Sequence, residues 1–387
     1  MICICIADIS IAQDTWTQMA TFPASSRQGA VTFSINGKGY VGLGAFPLQQ
    51  DLWAWDQGTN TWTSRNNMPG LGRYFAACFT IGTKGYMGTG WNGSASYNDF
   101  WEYNSLTDAW TQRTAFPGAV RHEAVGFAIG GKGYISTGYD GGSNYYDDLW
   151  EYDTTANAWT SRAVIPGGYR EGAVGFTIGN KGYIGTGRGM GFKNDLWAYD
   201  PVSNSWTQKA VFIGAARDDA FGFSVGGKGY IGTGQNSSTI FNDFYEYDTL
   251  SNTWTQRSNY LGGQRSYAVG FSIGNKGYAC VGYNGSMNQQ DLWEYAPASS
   301  VTEVNATMCN VFPNPFSSEL SFEFNGRLEK GELEIMDAAG KRIMYQDFEG
   351  NFLAVESVLP SGIYFYKIRS NGKPFSSGKL ICLTPGL

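Results

Sequence analysis

The stretch RHEAVGFAIGGKGYISTG, from Arg121 to Gly138, decides the fold because its pattern recurs along the chain. The tripeptide Lys-Gly-Tyr occurs six times at intervals of 46 to 49 residues, beginning at Lys38, Lys84, Lys132, Lys181, Lys228 and Lys276. A period near this length, with short apolar segments between glycine-rich turns, is typical of propeller blades rather than of a solenoid. The repeat therefore predicts a β-propeller.

Three further signals keep the same spacing. An arginine leads each unit: Arg27, Arg73, Arg121, Arg170, Arg217 and Arg265. A triplet of Asp, Leu or Phe, and an aromatic residue begins at Asp51, Asp99, Asp148, Asp195, Asp243 and Asp291. Trp-Thr recurs at Trp16, Trp62, Trp110, Trp159, Trp206 and Trp254. Because a buried arginine needs a partner, we expect each leading arginine to hydrogen-bond the aspartate of its unit or the backbone.

Each unit contains four predicted strands. In the third unit these are strand a, EAVGFAI; strand b, GYISTG; strand c, DLWEYD; and strand d, AWTSR. Alternating apolar residues between Gly and Asn turns favour strands over helices. The sixth unit lacks strand d, whereas an unpaired strand d surrounds Trp16. We therefore predict an all-β fold, a six-bladed propeller closed by the N-terminal strand.

These units resemble kelch repeats of the galactose-oxidase type over residues 13–296. The resemblance rests on the leading arginine, the glycine that ends strand b, the Tyr-Asp that ends strand c and the Trp that opens strand d. The paired glycines of that family after strand b are mostly Thr-Gly here, as in Thr89-Gly90. The family's copper oxidase site uses two histidines and two tyrosines, so the single histidine, His122, excludes that activity.

Composition divides the chain into four segments. Residues 1–12, MICICIADISIA, are apolar and end in small residues, which predicts the remnant of a secretion signal; the alternative is a buried N-terminal strand. Residues 13–298 form the predicted propeller, 299–308 a linker, and 309–387 a small β-sandwich. Cys309 and Cys382 lie near the two ends of this last segment, and whether they pair is left open.

The last segment resembles the type A C-terminal sorting domain of the type IX secretion system of Bacteroidota. The residues that carry this resemblance are Pro313, Asn314, Pro315, Gly340, Gly362, Tyr364 and Lys379. The resemblance implies recognition by that secretion machinery and a protein that is secreted or held at the outer surface of a Gram-negative cell. The alternative is an appended binding sandwich without a sorting role.

Strand direction predicts where a site can lie. The loops from d to a and from b to c share one face, and the b–c loops differ in length and residue type. His122 and Glu123 follow a leading arginine at positions that vary between units, as do Glu171, Asp218 and Asp219. We expect these side chains, with Arg188, to surround an acidic mouth on this face. The neighbouring loops supply predicted ligand-binding aromatic residues: Trp91, Tyr97, Tyr139, Tyr145 and Phe192.

Aromatic rings beside carboxylates suit a sugar, so the sequence favours a propeller that binds a glycan or a protein on its loop face. One enzymatic alternative stays open: a resemblance to sialic-acid mutarotases or epimerases implies acid–base roles for His122, Glu123 and Glu171 and carboxylate binding by Arg121 and Arg188. A second alternative is an architectural surface protein.

Asp140, Asp147 and Asp148 share one loop, but their spacing fits no EF-hand, and no metal or other cofactor is predicted.

Charge and hydropathy limit the partners. The net charge is -6, and there is no cluster of basic residues, so nucleic acid is not expected. No run approaches the roughly 18 apolar residues that span a membrane. We expect a monomer whose partners are its loop-face ligand and the secretion machinery.

Overall fold

The computed structural model describes residues 14–298, 309–337, 340–356 and 359–383. The predicted signal remnant, 1–12, and the predicted linker, 299–308, lie outside the described residues. The chain divides into two compact units, Met1–Ala298 and Ser299–Leu387. Regular structure in the described ranges is entirely β-strand, and no helix there has the length and apolar character needed to cross a membrane.

The first unit is built from short strands, most of them five residues long. Its strands are β1 (Thr15–Gln18), β2 (Val31–Ile35), β3 (Lys38–Gly42), β4 (Leu52–Asp56), β5 (Thr61–Arg65), β6 (Ala77–Ile81), β7 (Lys84–Gly88), β8 (Phe100–Asn104), β9 (Ala109–Arg113), β10 (Val125–Ile129), β11 (Lys132–Ser136), β12 (Leu149–Asp153), β13 (Ala158–Arg162), β14 (Val174–Ile178), β15 (Lys181–Gly185), β16 (Leu196–Asp200), β17 (Ser205–Gln208), β18 (Phe221–Val225), β19 (Lys228–Gly232), β20 (Phe244–Asp248), β21 (Thr253–Gln256), β22 (Val269–Ile273), β23 (Lys276–Cys280) and β24 (Leu292–Ala296).

These strands form six four-stranded antiparallel sheets, which are the predicted blades. Five blades take four consecutive strands, as in β10-β11-β12-β13. The sixth takes β22, β23 and β24 and is completed by β1, where Trp16 pairs with Tyr295. The prediction of a six-bladed propeller closed by the N-terminal strand is therefore confirmed.

The Lys-Gly-Tyr motif is explained by packing between neighbouring blades. A Cβ atom on Gly133 would lie 2.0 Å from the ring of Phe79 in the preceding blade, so only glycine fits there. The hydroxyl of Tyr134 donates to Glu151 Oε2 at 2.8 Å, which satisfies a buried polar pair. The lysine of each motif forms an ion pair with an acidic residue on strand c.

Each leading arginine is buried and held by the aspartate of its own unit. Arg121 donates Nη1 to Asp148 Oδ1 (2.5 Å) and Nη2 to Oδ2 (2.9 Å), and Nη1 also donates to the carbonyl of Thr137 (2.9 Å). Trp150 Nε1 donates to the same carboxylate at 2.9 Å, which explains the aromatic residue of the triplet. The same arginine–aspartate pair is present in all six blades.

The tryptophan of strand d joins neighbouring blades. Trp159 Nε1 in blade three donates to the carbonyl of Thr114 in blade two at 3.0 Å. Trp16 makes the same contact from blade six to blade five, donating to the carbonyl of Ser258 at 3.3 Å. The Trp-Thr repeat therefore records an inter-blade hydrogen bond and not only a buried ring.

The second unit contains five strands: β25 (Cys309–Phe312), β26 (Glu319–Asp337), β27 (Arg342–Glu356), β28 (Gly362–Ser370) and β29 (Lys373–Cys382). The first part of β26 pairs with β25, its last part pairs with β28, and β27 follows it along both parts. A parallel bridge from Phe316 to Cys382 nearly closes the structure around a core that includes Leu333 and Ile335. The predicted small β-sandwich is confirmed, and Cys309 and Cys382 are both buried free thiols.

Candidate functional site

A ring of backbone hydrogen bonds surrounds the propeller axis at the loop face. Its members, the second residue after each leading arginine, are Gly29, Phe75, Glu123, Gly172, Asp219 and Tyr267, called here the axial ring. The N–H of each member donates to the carbonyl of the member in the preceding blade, at 2.8 to 3.3 Å. All six have positive φ, between 53° and 61°. The shared left-handed conformation turns each N–H and C=O along the circumference, which lets six blades close one ring.

The loop face is where the two variable sets of loops meet, as strand direction predicts. The residue after each leading arginine pairs with the residue after strand b, as in His122 with Tyr139 and Glu171 with Arg188. A cavity of about 110 Å³ lies at the centre of this face, lined by the axial ring and by the alanines that follow it. We call this cavity and the side chains around it the mouth.

Four carboxyl groups and one arginine lie together in the mouth: Glu123, Glu171, Asp218, Asp219 and Arg188, called here the charged cluster. Arg188 donates Nη2 to Glu171 Oε1 at 2.5 Å, and its Nε lies 3.6 Å from Asp218 Oδ2. Glu171 and Asp218 are only 3% and 2% exposed. The structure thus brings together these sequence-predicted residues, with carboxyl groups in excess.

Burial and mutual repulsion shift the protonation of this cluster. Burial, then the charge of Glu171, raises the pKa of Glu123 well above its ordinary value. Burial, then the charge of Glu123, does the same to the pKa of Asp219. Burial raises the pKa of Asp218 to about 6. Neighbouring carboxyl groups repel one another when they are ionised, so the cluster holds protons that isolated carboxyl groups would release.

His122 is the neutral member of the mouth. Burial lowers its pKa to about 4, so the imidazole carries no charge near neutral pH. Its Nδ1 lies 2.9 Å from Ser96 Oγ, and Ser96 Oγ in turn donates to the carbonyl of Asp140 at 3.2 Å. A carbonyl only accepts, so the single hydroxyl proton of Ser96 is used in the bond to Asp140. Ser96 Oγ must then accept from His122, which requires the imidazole proton to be on Nδ1.

Aromatic rings form a continuous wall beside the charged cluster. The aromatic wall comprises Trp91, His122, Tyr139, Tyr145 and Tyr169, whose successive ring centroids lie 4.6 to 5.8 Å apart. His122, a member of the wall, has a ring nitrogen within 4.8 Å of carboxylate oxygens of Glu123 and Glu171, so the wall adjoins the cluster. Burial, then the charge of Glu171, raises the pKa of Tyr145. Trp91, Tyr139 and Tyr145, all predicted from the sequence as ligand-binding residues, therefore belong to one surface.

Other predicted residues take different places. Tyr97 lies over the guanidinium of Arg73 at 4.4 Å, so it covers a leading arginine instead of standing free. The ring centroid of Phe192 lies 5.9 Å from Cζ of Arg188, so Phe192 is at the edge of the charged cluster. Asp148 is bound by Arg121, and Asp140 accepts hydrogen bonds from its own loop, so these aspartates have structural partners.

Sequence reasoning missed several residues of the mouth. Phe75 and Tyr267 occupy the same repeat position as Glu123, which was a usable signal. Gln235 Nε2 donates to Asp219 Oδ2 at 3.1 Å and to the Tyr267 hydroxyl at 2.9 Å. Ser96 had no signal, because its contact with His122 depends on how two loops fold together.

The predicted sorting residues support the fold of the second unit. Asn314 donates Nδ2 to the carbonyl of Lys379 and accepts from the N–H of Ile381, both at 2.9 Å. The Tyr364 hydroxyl donates to the carbonyl of Pro360 at 2.9 Å, and Gly340, two residues before β27, has a positive φ. The Pro-Asn-Pro motif thus fastens the start of this unit to its last strand.

Residues 310–382 match the secretion system C-terminal sorting domain. This match to the sorting domain supports export by the type IX secretion system, to the exterior or the surface of the cell. No curated protein matches the chain. A solved structure of the protein YjhT is similar, with a TM-score of 0.63 and 16% identity, over 71% of this chain and 96% of that one. At that identity the likeness shows the propeller fold alone.

Proposed function

We propose that this exported protein binds a carbohydrate at the mouth of its propeller. The observation that carries the proposal is the aromatic wall standing directly beside the charged cluster. Sugar rings offer apolar C–H faces to aromatic side chains and hydroxyl groups to carboxylates and amides. Trp91, Tyr139 and Tyr145 supply the first kind of contact, and Glu171 and Asp218 supply the second.

A glycan-array screen of the purified full chain tests this proposal. We expect wild-type protein to bind a defined set of glycans and the double variant Trp91→Ala/Tyr139→Ala to lose at least tenfold in affinity. The matched control is Tyr283→Ala, because Tyr283 occupies in blade six the position of Tyr139 and donates to Gly285 as Tyr139 donates to Gly142. This control should bind as the wild type does.

Other results of the same screen would contradict the proposal. Binding that survives in the double variant would move the site away from the aromatic wall. If the wild-type protein binds no glycan on the array, a protein ligand or an architectural role at the cell surface would be favoured instead.

A second candidate is acid–base catalysis on a carbohydrate, of the kind that sialic-acid mutarotases or epimerases perform. The observation that favours it is the proximity of His122, Glu123 and Glu171, which offer groups within 4.8 Å of one another. The ion pair between Arg188 and Glu171 argues against binding of an anionic sugar, because it occupies the one arginine of the charged cluster.

Proton NMR of anomer interconversion tests the catalytic alternative. Sialic acid and neutral aldoses would each be followed with wild-type protein, with Glu123→Gln and with the Tyr283→Ala control. Catalysis predicts faster interconversion with the wild type and the control, and the uncatalysed rate with Glu123→Gln. Equal rates with and without wild-type protein would remove this alternative for those sugars.

The proposed route of export has its own test. Residues 300–387 would be fused to a periplasmic reporter in a Bacteroidota host, beside the reporter alone. We expect the fusion to reach the medium or the cell surface while the reporter alone stays in the periplasm. Periplasmic retention of the fusion would contradict the sorting role.

A further inference from the structure

Three side chains in the mouth are arranged as metal ligands commonly are. One ligand atom from each of His122, Glu123 and Glu171 lies within 4.8 Å of the other two. An ion at about 2.1 Å from each would draw these atoms together by roughly an ångström. Arg188 binds Glu171 through Oε1, which leaves Oε2 for another partner.

The imidazole of His122 is already held in one orientation by hydrogen bonds that involve Ser96 and Asp140. Its Nδ1–H donates to Ser96 Oγ, and the Ser96 hydroxyl donates to the carbonyl of Asp140. This relay leaves the lone pair on Nε2. Metal-bound histidines usually donate their second ring nitrogen in this way, and the donation fixes the ring and raises its basicity.

The charge of the mouth independently calls for a cation. Glu123, Glu171, Asp218 and Asp219 are four carboxyl groups, and Arg188 is the single arginine of this cluster. Asp218 is 2% exposed, and its Oδ1 is a buried atom without a hydrogen-bond partner in the part of the chain that the structure describes. A divalent ion would compensate the negative charge that these carboxyl groups carry when they ionise.

We propose that His122, Glu123 and Glu171 bind a divalent transition-metal ion, of the Zn²⁺ or Mn²⁺ class, at the mouth of the propeller. One imidazole and two carboxylates suit these ions better than Ca²⁺, which takes six to eight oxygen ligands. Three protein ligands leave coordination positions free for water or a further ligand. Binding of the ion does not depend on the proposed carbohydrate ligand.

Isothermal titration of the chelator-stripped full chain with Zn²⁺, and separately with Mn²⁺, tests this proposal. We expect one ion to bind per chain. His122→Ala, Glu171→Gln and the nearly isosteric Glu123→Gln should each weaken metal binding at least tenfold. Glu123→Gln keeps the test decisive if one of the other two variants fails to fold. The matched control is Ser266→Ala, because Ser266 holds the position of His122 in blade six and its hydroxyl has no hydrogen-bond partner among the described residues.

The proposal is overturned if wild-type protein binds neither ion or if His122→Ala and Glu123→Gln bind as tightly as the control. Thermal melting of each stripped variant shows whether lost binding reflects lost folding. Repeating the glycan array with and without chelator separates the two proposals, because the metal can bind even where no glycan does.

Discussion

Six arginine side chains, each at most 1% exposed, place positive charge inside the blades. A buried charge is tolerated only when a partner is held beside it with good geometry. The paired aspartate, the strand-b carbonyl and, in five blades, a tryptophan N–H on that aspartate supply this geometry. The repeat preserves these residues together because losing one leaves the others unsatisfied.

Asp148→Asn should therefore lower the free energy of unfolding by about 3 kcal/mol, since it leaves Arg121 buried without a countercharge. Denaturant unfolding measures this change. Asp147→Asn, one residue away and outside the arginine pair, should change stability by less than about 0.5 kcal/mol. A loss below about 1 kcal/mol for Asp148→Asn would mean that backbone contacts alone hold the arginine.

The residue before the glycine that ends each strand b has a left-handed backbone conformation although it is not glycine. Thr186 has a φ of 58°, and its buried hydroxyl has no hydrogen-bond partner among the described residues. A threonine is poorly suited to this left-handed conformation. We expect Thr186→Gly to raise the free energy of unfolding by about 1 kcal/mol, because relief of strain and of the unsatisfied hydroxyl outweighs the lost methyl group.

Thr89→Gly provides the comparison for that measurement. Thr89 has a similar φ of 64°, but its hydroxyl accepts a hydrogen bond from the Ala77 N–H at 3.2 Å. Its replacement removes a useful contact and should yield less stabilisation than Thr186→Gly in the same thermal melts. Equal effects of the two substitutions would show that the hydroxyl plays no part.

At the scale of the element, β1 contributes far more than its four residues suggest. It completes blade six beside β24, and Trp16 packs edge-on against Phe244 and Tyr260 with centroids 5.0 and 5.1 Å away. The closing strand thus fastens blade five as well as blade six.

Trp16→Ala should lower the free energy of unfolding by about 3–5 kcal/mol, because it empties a packed aromatic site and breaks the bond to Ser258. Deletion of residues 13–20 should destabilise the ring further. Thermal melting compares both with Thr17→Ala, an exposed substitution on the same strand that should be nearly neutral. An unchanged melting temperature for the deletion would contradict closure by β1.

Much of the element scale was readable in the sequence, and the mouth only in part. Each strand pattern occurs six times in the sequence, so recurring residues such as Gly133 and Trp159 could be recognised as structural. His122, Glu123 and Arg188 do not recur, and their contacts arise from loops that meet across blades. The contact of the Tyr97 ring with Arg73 could not be read from its position in a loop, and its role in ligand binding stays a prediction. Side-chain direction in a loop depends on tertiary packing, which a periodic pattern does not encode.

At the scale of the whole molecule, buried carboxylates on strand c couple stability to pH. Burial opposes ionisation of Glu151, but hydrogen bonds from Arg162 and Tyr134 prevail and lower its pKa. Glu102 and Glu246 have lowered pKa values for corresponding reasons. A group with a lowered folded-state pKa stabilises the protein above its unfolded-state pKa and loses that contribution as the pH falls.

The advantage of wild-type protein over Glu151→Gln should accordingly be full near pH 7 and shrink below about pH 4. Glu123 and Asp219 act in the opposite direction, since their raised pKa values favour the folded state at low pH. Comparing the two proteins by thermal melting at each pH cancels that opposing contribution. A difference that stays constant down to pH 3 would contradict the role of Glu151.

The axial ring separates what holds the propeller closed from what its mouth presents. Because each of its members is fastened through the main chain, the ring's circumference does not depend on which side chains point inward. Phe75, Glu123, Asp219 and Tyr267 can thus be randomised together, within the residues that tolerate a left-handed conformation, and a library of such variants should remain folded. The same architecture lets natural selection change the side chains of the mouth by point mutation, without insertions and without rebuilding the blades.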